Sequence, residues 1–236
     1  MTNVLDGTAI TTAIATRGIT RLIHFTSAQN LPAILRDGRL RSAKDLGENH
    51  VKIHAENDSI RLDGQPDKIC CSIEYPNVYY LNMAKKRTAN FPDWVALLLD
   101  PECMTKPGVL FSPSNAAGAS ARLLSGLEGF DDCYSKQITT NKKIWTRRSS
   151  HALNCPTDLQ AEVLVPGPIP LSSVLGIVLP TEADVGNERE RLRLLGVDPN
   201  VLNWSYSPGL FDADKVRDRI WFGSSLPELA WNGRKT

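Results

Sequence analysis

Four side chains have types and settings that could do chemistry. Glu162 stands where a polar, proline-containing loop (residues 154–158) runs into Val163-Leu164-Val165. Scaffolds hold functional groups at such loop-to-strand junctions. A carboxylate there can stabilise developing positive charge or accept a proton. The alternative is a solvated glutamate on an edge strand. His24 and Thr26 alternate along Arg21-Leu22-Ile23-His24-Phe25-Thr26, a strand pattern that ends just before a helix start. A histidine in that position can hydrogen-bond a ribose hydroxyl, or simply satisfy nearby backbone. Arg61 is the fixed cation ahead of the strand Ile69-Cys70-Cys71-Ser72-Ile73, or an ordinary surface arginine. His50 and His54 lie close by, but no third ligand accompanies them at a metal-site spacing, so no metal is expected.

A fifth feature is a basic and aromatic mixture formed by Lys142, Lys143, Trp145, Arg147 and Arg148. Cations hold phosphates and a flat ring stacks on a base. Because this segment precedes Glu162, it could present a nucleic-acid strand to that carboxylate. A solvated face around a partly buried tryptophan has the same pattern.

These groups need elements to position them. Leu31, Ile34 and Leu35 share a helical face, with Pro32 in the first turn and Gly38 as a stop. Residues 42–68 form a long polar loop, and Val78 to Leu81 reads as extended. Trp94-Val95-Ala96-Leu97-Leu98-Leu99 is a continuous apolar run before Asp100-Pro101, the pattern of a buried strand. Val109-Leu110-Phe111 and Val174 to Leu179 add two more strands. The small-residue stretch from Ser112 to Ser120 is a loop or a helix start. Thr181 caps a helix that ends at Gly196 and carries enough charge to lie on the surface. Residues 197–236 hold Trp204, Tyr206, Phe211, Trp221, Phe222 and Trp231, a packed C-terminal layer. Residues 1–18 form a flexible arm or a short helix.

The 236 residues carry a net charge of +1, so no global field draws the chain to nucleic acid or membrane. The five cysteines are odd in number and lack a CxxC spacing, which argues against a disulfide framework and for a reducing, cytoplasmic setting. No signal segment or membrane-length apolar run is present. With no linker or repeat, the expectation is one α+β domain over residues 1–236.

Three stretches, in order, resemble the DarT family of DNA ADP-ribosyltransferase toxins. The segment Ile23 to Leu40 is similar to the family's His-x-Thr strand and following helix. Phe111 with Asn115-Ala116-Ala117 is similar to its Asn-Ala-Ala turn. Gln160-Ala161-Glu162-Val163-Leu164-Val165 is similar to the segment bearing its catalytic glutamate. The resemblance runs from roughly Arg21 to Leu179. It implies an ADP-ribosyltransferase fold, a split mixed sheet with flanking helices and NAD in the cleft as co-substrate. It implies NAD contacts from His24 and Thr26, a catalytic Glu162, and Arg61 as the family's arginine, serving both NAD binding and catalysis. Thymidine-modifying members typically carry an Asp-His-Val-Pro-Phe-Tyr-like strand. The corresponding run here is Asp67-Lys68-Ile69-Cys70-Cys71-Ser72, so guanine and thymine both stay open as the target base. The acceptor implied is single-stranded DNA, and the partner implied is a neutralising ADP-ribosyl hydrolase antitoxin. Transfer to RNA or protein, and a non-catalytic nucleic-acid-binding module, are the competing readings.

Overall fold

The computed structural model describes residues 4–48, 63–87 and 93–233. Arg61, His50 and His54 lie outside the described residues. Among the described residues, twelve strands run in chain order: β1 (Leu22–Ser27), β2 (Arg39–Leu40), β3 (Lys68–Ile73), β4 (Trp94–Leu99), β5 (Leu110–Ser112), β6 (Gln137–Thr139), β7 (Ile144–Thr146), β8 (Glu162–Pro166), β9 (Ile169–Pro170), β10 (Val174–Leu179), β11 (Trp204–Tyr206) and β12 (Leu229–Ala230). The described residues also form seven α-helices: α1 (Val4–Arg17), α2 (Leu31–Asp37), α3 (Ala43–Glu48), α4 (Val78–Arg87), α5 (Gly126–Asp132), α6 (Glu182–Leu194) and α7 (Ala213–Phe222). None of the described helices is long and apolar enough to cross a membrane.

Among the described residues, eight strands form one mixed sheet in the order β12-β11-β10-β4-β1-β3-β8-β5. Only β10 and β11 run parallel, joined by α6. The sheet is covered on both faces, and β4 records this directly. Val95, Leu97 and Leu99 enter one core, whereas Trp94 and Ala96 enter the other. A strand buried on both sides has no polar face to present, which explains its unbroken apolar run. The first core takes Ile10 and Ile14 from α1, Leu31 from α2, and Val185 and Leu192 from α6. The second takes Val78, Leu81 and Ala84 from α4, and Val216 and Ile220 from α7.

The structure decides one open alternative and corrects one expectation. Of the two alternatives for residues 1–18, flexible arm or short helix, residues 4–17 take the helix. They form α1, whose Ile10 and Ile14 lie one helical turn apart and are buried. Val78 to Leu81 is helical rather than extended. Asn77 Oδ1 accepts from the Tyr80 amide at 3.1 Å, capping a helix whose buried positions 78, 81 and 84 recur at helical spacing. α6 does start at a capping box, with Thr181 Oγ1 accepting from the Asp184 amide and Asp184 Oδ2 from the Thr181 amide. It lies on the surface as its charge implies, with one face packed inward through the fully buried Val185 and Leu192.

The approach to β8 is fixed by buried polar groups. Arg147 donates to the carbonyls of Cys155 and Ala152, each at 2.8 Å. His151 Nε2 donates to the Pro156 carbonyl at 2.9 Å. Burial, reinforced by the Arg147 charge, pushes the His151 pKa down to about 4, so the ring is neutral at pH 7. Asp158 is 1% exposed, and its Oδ1 accepts from the Gln160 amide at 2.9 Å, forming the turn that delivers Glu162. Burial raises the Asp158 pKa to about 6, against the opposing pull of the Gln160 amide and the Lys143 charge.

Two tests follow from this packing. Ile14→Ala should cost about 2–5 kcal/mol of stability in denaturant unfolding; an unchanged midpoint would mean that α1 is undocked. The Asp158 carboxyl binds its proton more tightly folded than unfolded, so its contribution is most favourable below the ordinary value of 3.8 and is lost as pH rises through about 6. Asp158→Asn keeps the acceptor for Gln160 and removes this titration. Its stability relative to the parent should therefore be higher at pH 7.5 than at pH 4.5, and an equal difference at both would contradict the burial argument.

Candidate active site

β1 pairs with β4 along all six of its residues, but with β3 at only two positions, Leu22 with Ile73 and Ile23 with Ser72. β3 meanwhile pairs with β8 through Lys68 to Cys71. The sheet is thus continuous at one end of β1 and open at the other. His24 stands at the start of the opening, with Nδ1 2.8 Å from the Cys70 carbonyl oxygen. A carbonyl only accepts, so Nδ1 carries the proton and donates. The imidazole therefore bridges β1 and β3 where the backbone ladder has ended.

The opening is a cleft lined by groups from distant segments. His24 and Thr26 come from β1, Ser72 from β3, Asn77 from the entry to α4, Asn115 from the turn after β5, and Glu162 from the start of β8. Thr26 is 2% exposed, and its hydroxyl accepts from Asn30 Nδ2 at 2.9 Å. Asn115 Oδ1 accepts from the Ala117 amide at 2.9 Å, forming a tight turn rather than a helix start. Glu162 lies opposite Ser112 in the β5–β8 register and is partly exposed. Phe25 and Tyr80 add aromatic wall, their ring centroids 6.0 Å apart. Burial, with the charge of Glu162 among the lesser causes, pushes the Cys71 thiol up, so it is protonated and unreactive.

Sequence reasoning missed several groups on this wall. Arg41 faces the cleft, held by Asp37 at 2.6 Å and Asp45 at 3.1 Å, and these carboxylates raise its pKa against the opposing effect of desolvation. Nothing in its local pattern marks it as a cleft residue. Asn77 is 2% exposed, and its Nδ2 finds no acceptor among the described residues. Its position after Pro76 and three residues before Tyr80 is a helix-start signal that was available in the sequence. A buried amide donor without an acceptor, beside aromatic rings and a carboxylate, fits a ligand rich in hydroxyl and carbonyl groups.

The five expected nucleic-acid contacts lie away from the cleft lining and have different employments. Lys142 and Lys143 are exposed at the turn between β6 and β7. Arg148 is exposed. Trp145, by contrast, is 7% exposed and packs edge-on against Trp221, so its ring offers no face to a base. Arg147 is half-buried and engaged with the carbonyls of Cys155 and Ala152 described above, a structural cation rather than a phosphate ligand.

The family model described as "ssDNA thymidine ADP-ribosyltransferase, DarT" matches residues 23–207. No curated protein sequence matches significantly. Among solved structures, the chain is similar to Thermosipho africanus DarTG in complex with ADP-ribose, with a TM-score of 0.54 and 15% identity over 81% of this chain and 51% of that one. It therefore spans about half the length of that protein. It is also similar to Thermus sp. 2.9 DarT in complex with NAD+, with a TM-score of 0.53 and 16% identity over 81% of this chain and 97% of that one. At these identities the structural likeness speaks to fold, and the fold agrees with the split mixed sheet described above. The match of the family model over most of the chain decides the assignment: this protein belongs to the DarT family.

Proposed function

We propose that this chain is an NAD-dependent mono-ADP-ribosyltransferase that modifies a base in single-stranded DNA. The observation that carries the reading is the convergence of His24, Thr26 and Glu162 on one cleft at the opening of the sheet. Family membership supplies the acceptor class. The neighbouring structure in complex with NAD+ supports NAD as co-substrate.

The chemistry suits these groups. Transfer breaks the bond between nicotinamide nitrogen and ribose C1′, and the electron pair leaves with neutral nicotinamide, so no general acid is needed. The transition state resembles the oxocarbenium ion of glycoside hydrolysis. Glu162 holds a ribose hydroxyl and stabilises the positive charge as it develops. A base nitrogen forms the new bond to C1′, and its proton passes to the same carboxylate. His24 and Thr26 position NAD, and Arg61 binds the pyrophosphate or steers the base. Lys142, Lys143 and Arg148 meet phosphates of the strand. A single strand suits the reaction because the pairing edge of a base is hidden in a duplex. The whole chain acts as one catalytic domain in the cytoplasm, as the toxin of a toxin–antitoxin pair whose partner is an ADP-ribose-removing hydrolase.

Thymine is the base favoured by the family description. Guanine is favoured by one local observation: the run Asp67-Lys68-Ile69-Cys70-Cys71-Ser72 departs after its aspartate from the Asp-His-Val-Pro-Phe-Tyr-like strand.

Mass spectrometry of four single-stranded oligonucleotides, each lacking one base, tests the reading after incubation with NAD. A gain of one ADP-ribose on three of them, absent from the thymine-free or the guanine-free one, is the expected result. Nicotinamide release without any DNA product, and label on RNA or protein instead, would refute the DNA acceptor. Glu162→Gln should lower transfer by about 10²–10³-fold with an unchanged melting temperature. Full activity in that variant would remove the carboxylate from the mechanism.

A further inference from the structure

We infer that the end of α7 and the β6–β7 hairpin together form a stacking seat for nucleotides flanking the reacting base of a single-stranded nucleic acid. The inference rests on the DNA-acceptor reading and adds α7, which the family match does not include. That match ends at residue 207, whereas α7 spans Ala213–Phe222.

Phe222 is 55% exposed and Ile144 is 60% exposed. The Arg148 guanidinium lies 4.7 Å from the Trp221 ring centroid and 5.5 Å from that of Phe222. Trp221 and Phe222 meet edge to face at 6.2 Å. Behind this layer Trp145 packs against Trp221, so the tryptophan expected to stack on a base instead supports the rings that can. Lys142, Lys143 and Arg148 form no salt bridge among the described residues. The neighbouring Arg217 differs, being paired with both Asp214 and Asp218. Lys143 Nζ lies 3.8 Å from the Trp145 ring centroid, so the surface sets cations that form no salt bridge, two of them resting on aromatic rings, near the exposed Phe222.

Cations together with an exposed ring suit a single strand, which offers both phosphates and base faces. The seat is also tied to the catalytic approach. Ser150 Oγ donates to the Trp221 carbonyl at 2.6 Å, and the Ala152 amide donates to the Ile220 carbonyl at 2.8 Å. These bonds join α7 to the segment that runs through the Asp158 turn to Glu162. A strand lying on Phe222 and Arg148 is thereby held in fixed relation to the carboxylate.

The test is fluorescence anisotropy of labelled single-stranded oligonucleotides, one of three and one of twelve nucleotides, with the full chain and no NAD. Phe222→Ala should weaken binding of the longer strand roughly tenfold, with little change for the shorter one, and Phe222→Tyr should restore it. Arg148→Ala should reduce the slope of log affinity against log salt by about 0.7. The melting temperature of each variant reports on folding. Parent-like affinity and slope in both Phe222→Ala and Arg148→Ala would place the strand elsewhere and overturn the inference alone. Failure of the parent chain to bind either oligonucleotide would overturn the DNA-acceptor reading with it. Binding to phosphatidylserine vesicles that Phe222→Ala abolishes, with DNA binding untouched, would assign the surface to a membrane instead.

Discussion

The ladder between β1 and β3 stops after two residue pairs, and the cleft exists because it stops there. Two strands that stayed paired would close the sheet over the space that His24, Thr26 and Glu162 now share. Opening a sheet leaves backbone groups that must find other partners, since an unmet buried group costs about 1–3 kcal/mol. His24 meets part of that requirement by donating to the Cys70 carbonyl. Its side chain is therefore a structural bridge at the mouth of the split and a cleft-facing group at once. Full pairing of β1 with β4 on its other edge, with β4 buried on both faces, keeps β1 fixed despite the loss.

Glu162 is held from the opposite side by a different kind of restraint. β8 lies between β3 and β5, so its first residue sits at the far wall of the split. The loop leading to it is braced by side chains that bond backbone: Arg147, His151, and Asp158 at the final turn. Burying the ionisable Asp158 is unfavourable near neutral pH, and the turn it builds is the structural return. The loop thus trades some stability for a fixed position of the Glu162 carboxylate.

Much of this was legible in the sequence, for reasons that differ between elements. β4 and β10 are recognisable because strands buried on both faces have little polar content. The start of α6 is recognisable because Thr181 and Asp184 have the spacing of a capping box. His24 and Glu162 stood out through local setting and family resemblance together. What was not legible depended on tertiary contacts. Trp145 and Arg147 belong to a basic, aromatic segment, yet one ring is covered by Trp221 and one guanidinium by backbone carbonyls. Only the three-dimensional approach of α7 makes that distinction. Arg41 reaches the cleft because α2 and α3 form one of its walls, and no spacing rule announces that. The misread start of α4 is a different case, since its cap and its helical spacing were present but a short apolar run fits strand and helix alike.

A crystal structure with a non-hydrolysable NAD analogue would test the role of the split most sharply. The analogue should lie between β1 and β3, with the nicotinamide ribose within hydrogen-bond reach of the Glu162 carboxylate, about 2.6–3.2 Å. His24 and Thr26 should contact the same molecule. An analogue bound outside the split, or one in the split whose ribose turns away from Glu162, would contradict that role.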